Sequence, residues 1–202
     1  MNKNYRYGIF GGSFDPIHIG HLRLALAAAD ELNLDKLILM PNYISPFKQG
    51  EDVTSAYDRI EMAKTYESYC SAFEVSNFEA SKEGPSYTFE TLEYFNNNYE
   101  GELYFVLGYD SIMTLDTWYR GEDIIRKYPL ITGRRPGTED AEGTNKIDSY
   151  RKLFNARIHV LNIEPFDASS TEIRQLIRNN ESTDGLLTTE VQNYIKENDL
   201  YK

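Results

Sequence analysis

His18 and His21 stand three residues apart in the stretch Gly11-Gly12-Ser13-Phe14-Asp15-Pro16-Ile17-His18-Ile19-Gly20-His21. An apolar run, Tyr7-Gly8-Ile9-Phe10, precedes the stretch and reads as a buried strand. A helical pattern follows from about Gly20 to Asn33. Two glycines directly after a strand let the backbone approach a ligand closely. Ser13 and the amides around it can donate to phosphate oxygens. The positive end of the following helix faces the same place. Gly20, between the histidines, leaves room for a nucleotide to pack on the backbone. The chemistry on offer is the holding of a polyphosphate and the stabilisation of charge that develops on it. Neither the dinucleotide fingerprint G-x-G-x-x-G nor a Walker A loop is present. A zinc site wants three or four ligands. Only His159 and the lone Cys70 remain as further His or Cys, so no metal-ligand set is assigned. One histidine here would be read as a cap or a packed ring; two, with two glycines and a serine, favour a site.

A second group is Ala168-Ser169-Ser170-Thr171-Glu172-Ile173-Arg174. Taken alone, Ser-Ser-Thr-Glu is a capping box of the kind that merely starts a helix. Such a start also offers amides to phosphate, and Arg174 can reach back with a planar, permanently charged fork. Other candidates lie where a strand hands over to a helix. Ser86-Tyr87-Thr88 precede a helix that Thr88 can cap. Gly108 and Asp110 follow the run Leu103–Leu107, with Trp118 eight residues beyond Asp110. Lys48 can neutralise phosphate charge. Arg134 and Arg135 follow a strand and suit either a phosphate contact or a solvated loop.

The elements that must position these groups follow from apolar patterning. Strands are expected at Tyr7–Phe10, Lys36–Met40, Phe73–Ser76, Leu103–Leu107, Pro129–Thr132 and Arg157–Asn162. Helices are expected at Gly20–Asn33 (inner face Leu22, Leu26, Ala29), Ala56–Tyr69 (Ile60, Ala63, Tyr66) and Thr88–Asn97. Further helices are expected at Glu122–Tyr128, Ile147–Phe154, Ser170–Asn179 and Thr188–Glu197. Gly133–Thr144 and Gln49–Thr54 read as exposed loops. Strand–helix alternation of this kind implies a doubly wound, mostly parallel α/β sheet closed by C-terminal helices, with ligands beyond the carboxyl ends of the strands. One domain spanning 1–202 is expected.

The chain has 202 residues, a net charge of −11 and one cysteine. An acidic chain is poorly suited to wrapping a phosphate backbone, which argues against nucleic acid as a partner. A small anionic ligand needs only local donors. No apolar run approaches the ~18 residues of a membrane span, and Met1–Tyr7 lacks the apolar stretch of a signal peptide. A cytoplasmic location and no membrane partner are therefore expected; a homo-oligomer is left open.

Gly-Gly-Ser-Phe-Asp-Pro-x-His-x-Gly-His resembles the signature of the HxGH-type nucleotidyltransferase superfamily, and Ser169–Arg174 is similar to its C-terminal Ser-Ser-Thr-x-Ile-Arg motif, with Ala168 where Ile is usual. Gly84-Pro85-Ser86-Tyr87-Thr88 with Thr91-Leu92, the Gly108-x-Asp110 segment and Trp118 resemble bacterial nicotinate mononucleotide adenylyltransferases. So does the ending Val191–Ile195 with Leu200-Tyr201. The resemblance implies a Rossmann-like fold and adenylyl transfer from ATP, with Mg²⁺, to nicotinate mononucleotide. His18, His21, Arg174 and Lys48 would act on the phosphates. Gly11, Gly12, Ser13, Phe14, Gly20, Ser169, Ser170 and Thr171 would line ATP. Ser86, Tyr87, Thr88, Gly108, Asp110 and Trp118 would receive the acceptor, with Arg135 a candidate for a phosphate. Phe47 replaces a histidine common in that family's loop. Phosphopantetheine enzymes of similar size usually carry Thr at the position of His18 and lack the Ser-Tyr-Thr and Trp elements. Nicotinamide mononucleotide or phosphopantetheine as acceptor, and a non-catalytic nucleotide-binding regulator, stay open as alternatives.

Overall fold

The computed structural model describes residues 5–44, 53–82, 84–133, 141–164, 166 and 168–202. Among them the strands are β1 (Arg6–Gly12), β2 (Lys36–Pro41), β3 (Phe73–Val75), β4 (Glu102–Val106), β5 (Leu130–Gly133) and β6 (Ile158–Leu161). The helices are α1 (Ile19–Glu31), α2 (Ala56–Lys64), α3 (Thr88–Asn98), α4 (Tyr109–Thr114), α5 (Gly121–Lys127), α6 (Ala141–Phe154), α7 (Ser170–Arg178) and α8 (Thr189–Glu197). The six strands form one parallel sheet in the order β3-β2-β1-β4-β5-β6, the doubly wound arrangement expected.

Strand side chains alternate between two faces, and in a parallel sheet both faces are covered. Leu37 and Leu39 of β2 and Phe10 of β1 therefore enter one core, with Leu22, Ala25, Ala28 and Ala29 of α1, Met62 and Ala63 of α2, Ile173 of α7 and Val191 and Ile195 of α8. Ile38 and Met40 of β2 and Tyr7 and Ile9 of β1 enter the other, with Phe89, Leu92 and Phe95 of α3, Ile112 of α4, Ile124 and Ile125 of α5 and Ile147 and Tyr150 of α6. Burial on both sides is why β2 and β4 read as unbroken apolar runs, while the edge strands β3 and β6 expose Glu74 and His159.

The helix faces need correction. On α1, Leu26 is exposed, while Leu24, Ala25 and Ala28 are buried; small alanines let the helix lie close to the sheet. In Ala56–Tyr69 the expected Ala63 and Tyr66 are buried, but Ile60 is only half-buried, and Arg59 and Met62 complete the inner face in its place. Helix α2 ends at Lys64, and Thr65–Tyr69 continue as a 3-10 turn. α6 starts at Ala141 rather than Ile147, because Gly143, Ile147 and Tyr150 make a buried stripe at helical spacing. The six residues of α4 carry too little periodicity to be seen in the sequence.

Candidate active site

β1 and β4 are neighbours, yet the chain leaves them toward opposite faces, β1 into α1 and β4 into α4. This is the topological switch point, where a crevice opens beyond the carboxyl ends of the strands. Gly11, Gly12 and Ser13 lie at the end of β1, and Gly108 follows β4. Among the described residues, a Cβ on Gly108 would meet no atom within 4 Å. A Cβ on Gly12 would come within 2.9 Å of the Phe14 ring. Phe14 has φ 49° and turns its ring into the core, edge-on to Phe10 at 5.4 Å and to His21 at 5.1 Å between ring centroids. What Phe14 offers a ligand is therefore backbone.

The Asp15–Pro16 peptide is cis, and His18 is the N-cap of α1. The His18 amide donates to His21 Nδ1 at 3.2 Å. A ring nitrogen that accepts carries no proton, so the His21 proton resides on Nε2 and can be donated outward. The two imidazoles lie 3.7 Å apart between centroids. His18 Nδ1 is buried and has no hydrogen-bond partner among the described residues. Burial pushes the His18 imidazole down from its ordinary 6.5 to about 4. Burial, and then the neighbouring His18, hold His21 well below the ordinary value too. Both rings are neutral at neutral pH.

A stability consequence follows. Between pH 4 and 6.5 the unfolded chain takes up a proton at His18 that the folded chain refuses. The unfolded state binds more protons there, so stability is complete above the unfolded value and falls as pH drops toward the folded one. Each pH unit within that window removes about 1.4 kcal/mol, so His18 alone contributes a loss of about 2 kcal/mol between about pH 7.5 and about pH 5. Urea midpoints at the two pH values measure it. His18→Gln should make the dependence shallower while the share of His21 remains, and an unchanged slope in that variant assigns it elsewhere.

The second group is brought onto the same turn. Ser170 Oγ donates to Pro16 O at 3.0 Å, and Arg174 Nη1 donates to Asp15 O at 2.7 Å. Arg174 Nη2 donates to Thr171 Oγ1 at 3.3 Å. The N-termini of α1 and α7 thus converge. The capping box does form: Ser169 Oγ accepts from the Glu172 amide, and Glu172 Oε2 accepts from the Ser169 amide at 2.7 Å. Ser169 is thereby spent within the helix start. The expected space above Gly20 is filled. Phe166 stacks on His18 at 4.8 Å, and a Cβ on Gly20 would lie 2.5 Å from the Phe166 ring. A base that packs on Gly20 must first displace that ring.

On the other side of the crevice, among the described residues no side chain caps α3, whose N-cap is Tyr87 and not Thr88. Ser86 is buried and internally bonded: its amide donates to Ile44 O at 3.1 Å, and its Oγ accepts from the Tyr43 amide at 3.1 Å. Tyr87 packs on Tyr119 at 4.9 Å, and the Arg120 guanidinium lies 3.8 Å from the centre of the Phe89 ring. The Ser86–Phe89 and Trp118–Arg120 segments are therefore adjacent. Trp118 is half-buried, with Nε1 donating to Thr114 Oγ1 at 3.4 Å. Asp110 is exposed in the first turn of α4. Lys48, Arg134 and Arg135 lie outside the described residues.

Sequence reasoning missed Arg59, Glu79, Phe166 and the role of Asp15. Glu79 is buried, accepts from Thr91 Oγ1 at 2.6 Å and is held above the usual carboxylate range by that burial. Asp15 is buried and accepts from Tyr201 Oη at 2.7 Å. Arg59 is buried on α2 at a core spacing. A charged residue on an apolar face was the one available signal.

A model of the cytidylyltransferase-like family matches residues 9–176, a span that holds both converging groups. A Clostridium botulinum protein named probable nicotinate-nucleotide adenylyltransferase is 40% identical over 197 residues, covering 98% of each chain. The chain belongs to the cytidylyltransferase-like family and is a homologue of nicotinate-nucleotide adenylyltransferases. The Bacillus subtilis nicotinate-nucleotide adenylyltransferase is 35% identical over 198 residues, again covering 98% of each chain. Among solved structures, the nicotinic acid mononucleotide adenylyltransferase of Plasmodium falciparum, complexed with NaAD, superposes with a TM-score of 0.77 at 21% identity, covering 98% of this chain and 97% of its own. That likeness bears on the fold, which this cytidylyltransferase-like chain shares from β1 through α8. Among the described residues no helix is long and apolar enough to cross a membrane.

Proposed function

We propose that one domain spanning the chain transfers the adenylyl group of ATP to nicotinate mononucleotide, giving nicotinate adenine dinucleotide and pyrophosphate. One observation carries the reading: two helix N-termini and a pair of neutral imidazoles meet on a single turn at the switch point. The full-length homologues named for this reaction support it.

The acceptor's phosphate attacks the α-phosphorus, and pyrophosphate leaves. A phosphate monoester has its second pKa near ~6 and is already anionic at neutral pH, so the reaction needs no general base. Catalysis rests on alignment and on donors aimed at developing charge. His21 Nε2–H and the His18 ring are those donors at the α-phosphate and the bridging oxygen. Two neutral rings give hydrogen bonds without first having to lose a partner anion. Amides of Ser170 and Thr171 at the start of α7 hold the β- and γ-phosphates with Arg174. Lys48 and Arg135 are kept as cations for the phosphates of ATP and acceptor.

Among the described residues no cluster of three or more His, Cys, Asp or Glu side chains can enclose a metal. The donors around the turn are N–H groups, which suit phosphate oxygens. That fits an ion carried by the substrate: Mg²⁺ on ATP would neutralise the leaving pyrophosphate while keeping most of its waters. Asp110, exposed after β4, is the carboxylate available to such a water or to the acceptor's ribose.

The uncapped start of α3 leaves first-turn amides to an anion. A carboxylate gains more there than a neutral amide, which favours nicotinate over nicotinamide. Trp118 and Tyr87, on adjacent segments, are the aromatic surfaces for the pyridine ring. The test is to supply ATP and Mg²⁺ with nicotinate or nicotinamide mononucleotide side by side, and to measure pyrophosphate and dinucleotide. The acid should be used with the higher kcat/KM. Equal use, or preference for the amide, removes the α3 carboxylate site; no product with either at millimolar substrate removes the reaction.

A further inference from the structure

Arg59 lies outside the roles assigned above. Its side chain makes five hydrogen bonds: Nε to Thr54 O at 2.9 Å, Nη1 to Ser13 O at 2.8 Å, to Asn42 O at 2.7 Å and to Asn42 Oδ1 at 3.4 Å, and Nη2 to Tyr43 O at 2.8 Å. It is 1% exposed. Removing a guanidinium from water costs several kcal/mol, which its bonds to carbonyls that would otherwise stand unpaired offset, so burying the charge is no net gain by itself. What Arg59 adds is therefore geometric. Four of its acceptors are main-chain carbonyls, and none belongs to the regular part of a strand or helix. Ser13 is in the turn after β1. Asn42 and Tyr43 are in the segment after β2. Thr54 precedes α2.

The bonds continue on both sides. Toward the ATP side, the Asn42 amide donates to Gly12 O at 3.0 Å, and the Thr54 amide donates to Asp15 Oδ2 at 3.4 Å. Asp15 in turn carries Arg174 and Tyr201. Toward the acceptor side, the Tyr43 amide bonds Ser86 Oγ, the Ser86 amide bonds Ile44 O, and Ile44 pairs with Pro85 in a parallel bridge. Ser86 also bonds Glu79, which holds Thr91 of α3. One unbroken chain of bonds runs from the histidine turn through Arg59 to the start of α3.

We propose that Arg59 is a positioning residue that couples the two substrate half-sites, so that ordering the turn for ATP orders the Ser86–Thr88 segment for the acceptor. The proposal rests on the function given above. Coupling is reciprocal. In the wild-type protein a non-hydrolysable ATP analogue should tighten nicotinate mononucleotide binding by about fivefold or more, the lower range of such couplings, and the mononucleotide should tighten the analogue equally. Lysine keeps the charge but offers one nitrogen in place of a fork, and cannot span these loops. Arg59→Lys should abolish the mutual tightening and raise KM for both substrates by about five- to tenfold.

The experiment is calorimetric titration of each ligand with and without the other, together with steady-state KM values and melting curves, on wild type and Arg59→Lys. KM does not depend on how much of the preparation is folded, so it separates positioning from lost stability. A folded Arg59→Lys that melts lower but keeps both KM values and the mutual tightening overturns the proposal. So does a wild-type protein in which neither ligand affects the other. Should Arg59→Lys fail to fold, Ser86→Ala removes the Tyr43 and Glu79 bonds of the same chain and keeps the backbone bond to Ile44: weakened tightening with acceptor binding retained supports the coupling, and unchanged tightening overturns it. Titration needs no turnover, so a wild-type chain that binds both ligands with tightening yet makes no dinucleotide fails the proposed reaction alone.

Discussion

Replacing His21 with alanine is expected to lower kcat for adenylyl transfer by about 10²- to 10³-fold, the usual loss for one donor aimed at developing charge. The ring does two jobs at opposite edges. Nδ1 accepts the His18 amide, and that bond places the proton on Nε2. Phe14 and Phe10 stand against its sides at 5.1 and 5.8 Å and fix its plane. Alanine removes the cap as well as the donor, with a stability loss of about 1 kcal/mol typical of a lost cap. Two further variants separate the jobs. The asparagine oxygen takes the place of Nδ1 and restores the cap without a donor at Nε2. The glutamine amide reaches toward Nε2 and restores a donor. Turnover should stay low in His21→Asn and recover in part in His21→Gln, as pyrophosphate release will show. An alanine variant within about threefold of wild-type kcat would take His21 out of the role of transition-state donor.

Arg174→Ala should raise KM for ATP by about 10- to 100-fold, the equivalent of one lost charge-assisted hydrogen bond of about 1.5–3 kcal/mol. KM for the acceptor should move far less. Two guanidinium N–H groups are already used, on Asp15 O and Thr171 Oγ1. A guanidinium carries five donors in all, so others stay available to phosphate while the first two hold the fork in plane. Arg174→Lys keeps the charge and loses the fork, and should fall between alanine and wild type. Equal effects on both KM values would mean that the residue merely ties α7 to the turn; an unchanged ATP KM would place the β- and γ-phosphates elsewhere.

How much of this is legible in the residues depends on the range of the interaction. Leu37–Met40 and Leu103–Leu107 announce buried strands, because a parallel sheet covered on both faces demands unbroken apolar runs. The Gly11–His21 turn is legible because its glycines, histidines and strand-to-helix position are all local. Ser169–Arg174 is legible as a helix start, yet its docking on Asp15 and Pro16 is not, since nothing in either segment encodes the other's place. Leu26 passes for core because leucine outranks alanine in any apolar count, whereas close helix-to-sheet packing prefers Ala25 and Ala28. Arg59 is hidden by its charge: periodicity treats a guanidinium as solvent-facing, and only the tertiary structure reveals a pocket of carbonyl oxygens waiting for it. Phe166 cannot be foreseen over Gly20, for the contact joins the first turn of α1 to a loop far away in the sequence.

The bond between Asp15 and Tyr201 spans 186 positions of the chain, and those of Arg174 and Ser170 to the same turn span 159 and 154. The six strands of the sheet precede these partners in sequence. On a ribosome the reactive turn is thus made first and fastened late. When the last strand has been made, a nascent chain still lacks the clasps that set the turn and the α7 and α8 share of one core, so catalytic competence arrives with the C-terminal helices. Proteolysis inside α7 or beyond should likewise silence the enzyme, by releasing those clasps and opening that core.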